Sequence, residues 1–96
     1  MSEYDSLLSK IETKSAVIGI VGLGYVGLPL AIAFVEAGFQ VLGFDVNDSV
    51  VDGLSKGHSH IGDVPADTVE RAVEAGFLSA TTDFARLADS DVVVIC

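Results

Sequence analysis

A glycine-rich segment near the start of the chain has the residue types and spacing of a phosphate-binding turn. An apolar stretch precedes it directly, and its members are Gly22, Leu23, Gly24, Tyr25, Val26 and Gly27. The first glycine of such a pattern permits a tight turn, the second leaves room for a phosphate, and the third lets a helix pack closely. The N–H groups and the positive dipole end of that helix attract anions. We therefore predict that residues 22–27 bind a pyrophosphate.

One acidic residue, Asp45, stands where the ribose of a dinucleotide would bind. It closes the next apolar stretch, roughly 20 residues after Gly27, which is the usual spacing. Its carboxylate can accept hydrogen bonds from ribose hydroxyls and would repel a 2′-phosphate, and residues 46–50 contain no basic residue to hold that phosphate. The sequence thus predicts NAD rather than NADP. The alternative interpretation is a glycine turn that only joins a strand to a helix, with Asp45 as a solvated strand end.

Other candidate groups receive a structural interpretation. Cys96 ends an apolar strand with no His or Lys placed to lower its pKa, so we expect a buried, inert thiol. His58 and His60 have only Asp63 nearby, which is too few ligands for a metal, and we expect loop histidines near a nucleotide pocket. Residues 81–82 are candidates for contact with the adenosine half of a cofactor, and the alternative is that Thr82 and Asp83 cap the next helix. We predict no catalytic residue and no metal site in this chain.

The elements that must position these residues alternate between strands and helices. Apolar runs, caps and glycines predict strands at 16–21, 40–45, 77–81 and 91–96, and helices at 25–37, 48–56, 65–75 and 84–88. This order predicts an α/β fold, a doubly wound parallel sheet of the Rossmann type with strand order 3-2-1-4. An amphipathic helix over 6–14 precedes it. We divide the chain into an N-terminal helix (1–14) and a dinucleotide-binding domain (15–96) that is incomplete at its fourth strand.

Composition and charge exclude several other classes. The chain has 96 residues, 50% of them hydrophobic, and a mean hydropathy of +0.56, so we exclude disorder. A net charge of -9 argues against nucleic acid and anionic membranes as partners. Residues 15–35 are uncharged but contain four glycines and a proline, which favours strand, turn and helix over a membrane span. A single cysteine and an acidic N-terminus without a signal-peptide pattern predict a cytoplasmic protein.

A longer motif makes the interpretation more specific. The segment from Ile18 to Leu30, with Tyr25-Val26-Gly27-Leu28-Pro29 at its centre, resembles the N-terminus of the UDP-glucose/GDP-mannose dehydrogenase family. Segments 43–47, 57–64 and 80–83 are similar to that family too. Within it, the resemblance is to the bacterial UDP-N-acetylhexosamine 6-dehydrogenases, in which a short helix precedes the first strand.

The resemblance implies the NAD-binding portion of an enzyme several times longer. Such an enzyme oxidises C6 of a nucleotide sugar from alcohol to carboxylate in two NAD-dependent steps, through a thiol adduct, for polysaccharide biosynthesis. The family's thiol, lysine and sugar-binding residues belong to later segments. We therefore expect the 96-residue chain alone to be inactive, and to self-associate through strand 91–96. We expect the whole protein to be a homo-oligomer.

Two alternatives stay open at this point. One is another NAD-dependent dehydrogenase, such as a β-hydroxyacid enzyme, although the Tyr25–Pro29 pattern argues against it. The other is a module that binds NAD without chemistry. Residues beyond Cys96 would decide between them.

Overall fold

The computed structural model describes residues 8–9, 11–13, 15–60, 62 and 64–96. Its centre is a parallel four-stranded sheet in the order β3-β2-β1-β4. The strands are β1 (Val17–Val21), β2 (Gln40–Phe44), β3 (Leu78–Thr81) and β4 (Val92–Ile95). The flanking helices are α1 (Gly27–Glu36), α2 (Asp48–Ser55) and α3 (Ala66–Glu74), and a 3-10 helix spans Phe84–Asp89. The predicted Rossmann fold and its strand order are thereby confirmed.

The two interior strands are buried on both faces. β1 and β2 pair with each other and each has a second neighbouring strand. Consecutive residues 18–20 and 41–44 are buried, and consecutive strand residues point to opposite faces of the sheet. The core they form with the helices includes fully buried residues from every layer: Ile20, Leu28, Val41, Phe44, Leu54 and Val69. Burial on both faces explains why neither strand alternates between apolar and polar residues.

The register brings the carboxyl ends of neighbouring strands to one edge. Val21 is level with Phe44 of β2 and with Ile95 of β4, and Phe44 is level with Thr81 of β3. Backbone hydrogen bonds extend this alignment past the strand ends, from Gly22 N–H to the Phe44 carbonyl (2.8 Å) and from Cys96 N–H to the Val21 carbonyl (2.9 Å). The residues that follow the strands therefore share one edge of the sheet.

The fourth strand is an edge strand within the described part of the chain. β4 pairs with β1 on one side, and the residues described here provide no neighbour on the other. Alternate side chains point outward: Val93 is 43% exposed and Ile95 is 80% exposed. An apolar edge of this kind can pair with another strand.

Several predicted boundaries differ from the observed ones by one or two residues. Pro65 lies before α3 as its N-cap, because its ψ of 141° is extended. The predicted first helix begins at Gly27 rather than residue 25, since the glycine-rich turn extends further. The segment predicted helical over 84–88 is a 3-10 helix, and Asp83 Oδ1 accepts the Ala85 N–H at its start (3.1 Å).

The N-terminal prediction falls partly outside the described residues. Leu8, Ser9, Ile11 and Glu12 are helical, while residues 6, 7, 10 and 14 lie outside. The division at residue 14 stays a prediction. No helix in the described part of the chain has the length and apolar character needed to cross a bilayer.

Candidate cofactor-binding site

A cleft of about 250 Å³ opens at the carboxyl edge of the sheet. Its lining contains all seven predicted binding residues and one more, namely Gly22, Leu23, Gly24, Tyr25, Val26, Gly27, Asp45 and Cys96. Ligands of doubly wound sheets bind in this position, outside the carboxyl ends of the strands. The fold thus gathers into one place residues that stand more than twenty positions apart in the sequence.

Two of the glycines are required by the turn itself. Gly22 has a φ of +94°, which disfavours any side chain, and a Cβ there would lie 2.9 Å from the Cys96 carbonyl oxygen. At Gly27 a Cβ would overlap the Gly22 carbonyl oxygen. Because Gly22 and Gly27 have no side chains, the chain can reverse direction here and α1 can pack against the turn.

Gly24 differs from both. Its φ lies outside the left-handed range, and a Cβ built on it meets no atom within 4 Å. The packing of the described residues therefore does not require a glycine here. A side chain at Gly24 would project into open space at the cleft that this residue lines. The absence of a side chain leaves this space open to a ligand that approaches the backbone, and the pyrophosphate contact predicted for Gly24 stays a prediction.

The start of α1 offers backbone donors to such a ligand. Its N-cap is Val26, whose apolar side chain cannot accept a hydrogen bond, and its first turn has no acidic residue. At α2, by contrast, Asn47 Oδ1 accepts the N–H groups of Ser49 (2.9 Å) and Val50 (3.4 Å). Within the first turn of α1, Leu28 N–H already donates to the Gly24 carbonyl (3.1 Å) and Pro29 has no N–H. The helix therefore offers the cleft the N–H of Gly27 and its positive dipole end.

Asp45 is anchored to the glycine-rich turn. Its Oδ2 accepts the Leu23 N–H (2.9 Å) and its Oδ1 accepts the Asn47 N–H (2.9 Å). Each carboxylate oxygen keeps a second lone pair for a ligand hydroxyl. Partial burial acts to raise the pKa of Asp45, but the hydrogen bonds from Leu23 and Asn47 and the nearby His60 together hold that pKa below its ordinary value. The carboxylate is therefore ionised at neutral pH.

This lowered pKa predicts a pH-dependent contribution to stability. A carboxylate with a depressed folded-state pKa stabilises the fold above its unfolded pKa, about 3.9, and the contribution is lost as the pH falls through the folded-state pKa. We expect Asp45→Asn to unfold at lower urea concentration than the wild type at pH 7, and the difference to shrink as the pH falls below about 3.9. Urea denaturation over a series of acidic pH values tests this. A difference that persisted at low pH would show that the charge of Asp45 is not its cause.

His60 belongs to the site in a way that the sequence did not reveal. Its Nε2 is hydrogen-bonded to the Leu23 carbonyl, although the two residues lie on different loops. The sequence predicted only that this histidine lies near the pocket, because nothing local fixes how the loop after α2 lies on the turn. The described residues contain no cluster of three or more metal-ligating side chains.

Cys96 corrects an expectation. The thiol was predicted to be buried, but it is exposed and its residue lines the cleft. The reason is its position one residue beyond β4, at the open carboxyl edge.

Thr81 stabilises the turn after β3, since its Oγ1 accepts the Asp83 N–H (3.0 Å). A contact between residues 81–82 and an adenosine stays a prediction.

The donor set fits a dinucleotide. Open space beside Gly24, the N–H groups of the turn and of Gly27, and an ionised carboxylate at Asp45 match a pyrophosphate next to a ribose with free hydroxyls. Among the described residues no basic side chain lines the cleft, so in this part of the chain the attraction for phosphate comes from the backbone.

Curated relatives share this sequence over most of its length. UDP-N-acetyl-D-mannosamine dehydrogenase of Escherichia coli K12 is 47% identical over 68 residues, which cover 70% of this chain and 16% of the relative. The enzyme of the same name from Pyrococcus horikoshii is 35% identical over 80 residues, which cover 82% of this chain and 19% of the relative. The chain therefore spans less than a fifth of the length of these relatives.

Solved structures agree with the fold. An NDP-N-acetyl-D-galactosaminuronic acid dehydrogenase from Methanosarcina mazei matches all of this chain and 22% of its own, with a TM-score of 0.78 and 33% identity. A GDP-mannose dehydrogenase from Pseudomonas aeruginosa matches 82% of this chain and 19% of its own, with a TM-score of 0.75 and 38% identity.

A family profile adds the cofactor. The profile described as the UDP-glucose/GDP-mannose dehydrogenase family, NAD binding domain, matches residues 16–96. The resemblance seen in the sequence is thus confirmed, and the cofactor is NAD. The chain belongs to the UDP-glucose/GDP-mannose dehydrogenase family, of which it represents the NAD-binding domain.

Proposed function

We propose that residues 22–27 and Asp45 hold NAD in the cleft, within a cytoplasmic enzyme that oxidises C6 of a UDP-sugar to the uronate for polysaccharide biosynthesis. The observation that carries the proposal is the cleft itself. It gathers the glycine-rich turn, the uncapped start of α1 and the Asp45 carboxylate, and it leaves open the space beside Gly24.

Each part of the cleft has its own task in this proposal. The backbone N–H groups of the turn and of α1 bind the pyrophosphate, and Gly24 lets it come close. The Asp45 carboxylate, fixed by Leu23 and Asn47, accepts hydrogen bonds from the ribose hydroxyls. When bound, NAD accepts the electrons that the oxidation of an alcohol releases.

The names of the relatives support the proposed substrate class. Those from Escherichia coli and Pyrococcus horikoshii are UDP-N-acetyl-D-mannosamine dehydrogenases, and the chain covers less than a fifth of each. We infer two NAD-dependent steps on the same C6 carbon, with the catalytic groups in segments outside these 96 residues. The single cysteine fits a reducing compartment such as the cytoplasm.

Two measurements on the 96-residue chain test this assignment. Calorimetric titration should detect NAD binding, because the cleft residues are all present. A mixture of the chain, NAD and a UDP-sugar should form no NADH, because Cys96 is the one cysteine of the sequence and no base among the described residues is paired with its thiol. Failure to bind NAD would refute the site, and NADH formation would refute the placement of catalysis elsewhere.

The open edge of β4 leads to a prediction about assembly. We expect the 96-residue chain to self-associate at micromolar concentration, because β4 has an unpaired side with apolar residues exposed beside it. The net charge of -9 opposes association, but salt screens it beyond about 10 Å. Sedimentation should show dimers or larger species in the wild type and monomers for Ile95→Lys, since a charged edge resists pairing.

A matched variant controls for the added charge. Val46 is 83% exposed, similar to Ile95 at 80%, but it follows β2 and lies away from the open edge. Val46→Lys should leave the association unchanged. A monomeric wild type, or equal effects of the two lysines, would contradict pairing through β4. We also propose that the whole protein is a homo-oligomer, which sedimentation of the longer protein would test separately.

A further inference from the structure

We infer that His60 is a positioning residue of the cofactor site, which orients the Gly24 N–H toward the cleft by holding the Leu23 carbonyl. His60 is not among the described residues that line the cleft, so it acts through Leu23 rather than by touching the cofactor. The inference rests on the proposed binding of NAD. It assigns a role to a loop histidine that neither the glycine pattern nor Asp45 explains.

Leu23 is held by three contacts that come from two parts of the fold. Its N–H donates to Asp45 Oδ2 (2.9 Å), and its carbonyl is hydrogen-bonded to His60 Nε2. Its side chain is fully buried and packs over Gly43, where a Cβ would lie 2.9 Å from the Leu23 side chain. Hence β2 fixes one end of this residue, and the loop after α2 fixes the other.

Holding the Leu23 carbonyl also sets the direction of the next N–H. In a planar trans peptide, the carbonyl of one residue and the N–H of the next point in opposite directions. The Leu23 carbonyl faces His60, so the Gly24 N–H points the opposite way, and Gly24 itself lines the cleft. Glycine has wide backbone freedom, and without an anchor this peptide could rotate and present its carbonyl to a phosphate.

The chemistry of the contact specifies which nitrogen matters. A carbonyl oxygen only accepts hydrogen bonds, so Nε2 of His60 must carry the proton. That proton is present both in the neutral Nε2–H tautomer and in the imidazolium ion. The positioning role therefore needs a donor at the Nε2 position and does not need a positive charge.

Two amide substitutions distinguish the effect of a hydrogen-bond donor at the Nε2 position from the effects of the imidazole ring and its charge. In His60→Gln the side-chain nitrogen is as many bonds from Cβ as Nε2, whereas in His60→Asn it corresponds to Nδ1. With no cofactor present, the Gly24 amide resonance in ¹⁵N-resolved NMR spectra should stay in place for His60→Gln and move for His60→Asn. His58→Asn, on the same loop, serves as the control and should leave the resonance unchanged. If the Gly24 resonance moved equally in both His60 variants, or moved in neither, the positioning role of His60 would be overturned.

Calorimetric titration with NAD then tests the consequence. His60→Asn should weaken binding by about tenfold or more, as expected for a lost hydrogen bond to a charged group, while His60→Gln stays within about threefold of the wild type. Equal affinities in all three proteins would overturn the inference and leave the proposed function intact. If the wild type binds no NAD, the proposed function fails, and the Gly24 resonance alone decides whether His60 orients this peptide.

Discussion

Replacing Gly24 with valine should lower the affinity of the chain for NAD by about a hundredfold or more and leave the chain folded. The loss is expected because the new side chain would occupy the open part of the cleft and keep the pyrophosphate from at least two backbone donors, each worth about 1.5–3 kcal/mol to a charged group. The fold should survive because a Cβ at Gly24 meets no atom within 4 Å, and its φ is one that other residues adopt.

The control for this substitution is another glycine with room around it. Gly53 lies in α2 outside the cleft lining, and a Cβ there would approach nothing closer than the His58 Cβ at 3.9 Å. Gly53→Val should bind NAD as the wild type does. Calorimetry measures the affinities, and circular dichroism with thermal unfolding verifies that both variants are folded. If a folded Gly24→Val variant bound NAD with wild-type affinity, the pyrophosphate could not bind at this turn.

Replacing Asp45 with serine should narrow the preference for NAD over NADP by about tenfold or more. The carboxylate gains hydrogen bonds with free ribose hydroxyls and repels a 2′-phosphate, and serine weakens the first effect and removes the second. Because Asp45 Oδ2 also anchors the Leu23 N–H, the variant should lose some affinity for both cofactors. The ratio of the two affinities cancels that shared loss and isolates the 2′ position.

A substitution of the neighbouring Asp48 distinguishes a direct contact of Asp45 with the ribose from a general effect of negative charge at this edge. Asp48 begins α2, and Asp48→Ser removes the same charge without disturbing the Leu23 anchor. It should leave the NAD/NADP ratio close to that of the wild type. If both serine variants shift the ratio equally, the negative field of this edge sets the preference. If neither does, Asp45 serves only as an anchor of the turn.

The sequence was sufficient for features that depend on near neighbours along the chain. The continuous apolar runs of β1 and β2 predicted interior strands, since a parallel strand is covered on both faces. The helix predicted over 48–56 is preceded by Asn47, a residue type favoured at helix N-caps, and its side chain does accept the N–H groups of the first turn. Alternation of strands and helices, with right-handed crossovers, led to the observed strand order.

The cleft followed from this order and the strand register. Gly22 and Asp45 each come directly after a strand, and neighbouring parallel strands place such residues at the same edge. Spacing along the chain was therefore enough to bring the glycine turn and the carboxylate together. The glycines needed no further information, because tight turns and close approach restrict the residue type locally.

Only the tertiary structure decided how separate loops meet. The anchoring of Leu23 by Asp45 and His60 joins three segments, and the conformation of the loop after α2 depends on how α2 and α3 pack against the sheet. The exposure of Cys96 was likewise missed, because an apolar run indicates a strand but not where its last residue stands relative to the open edge. Local patterns determine the elements of this protein, whereas contacts between its loops arise from packing forces that no short segment encodes.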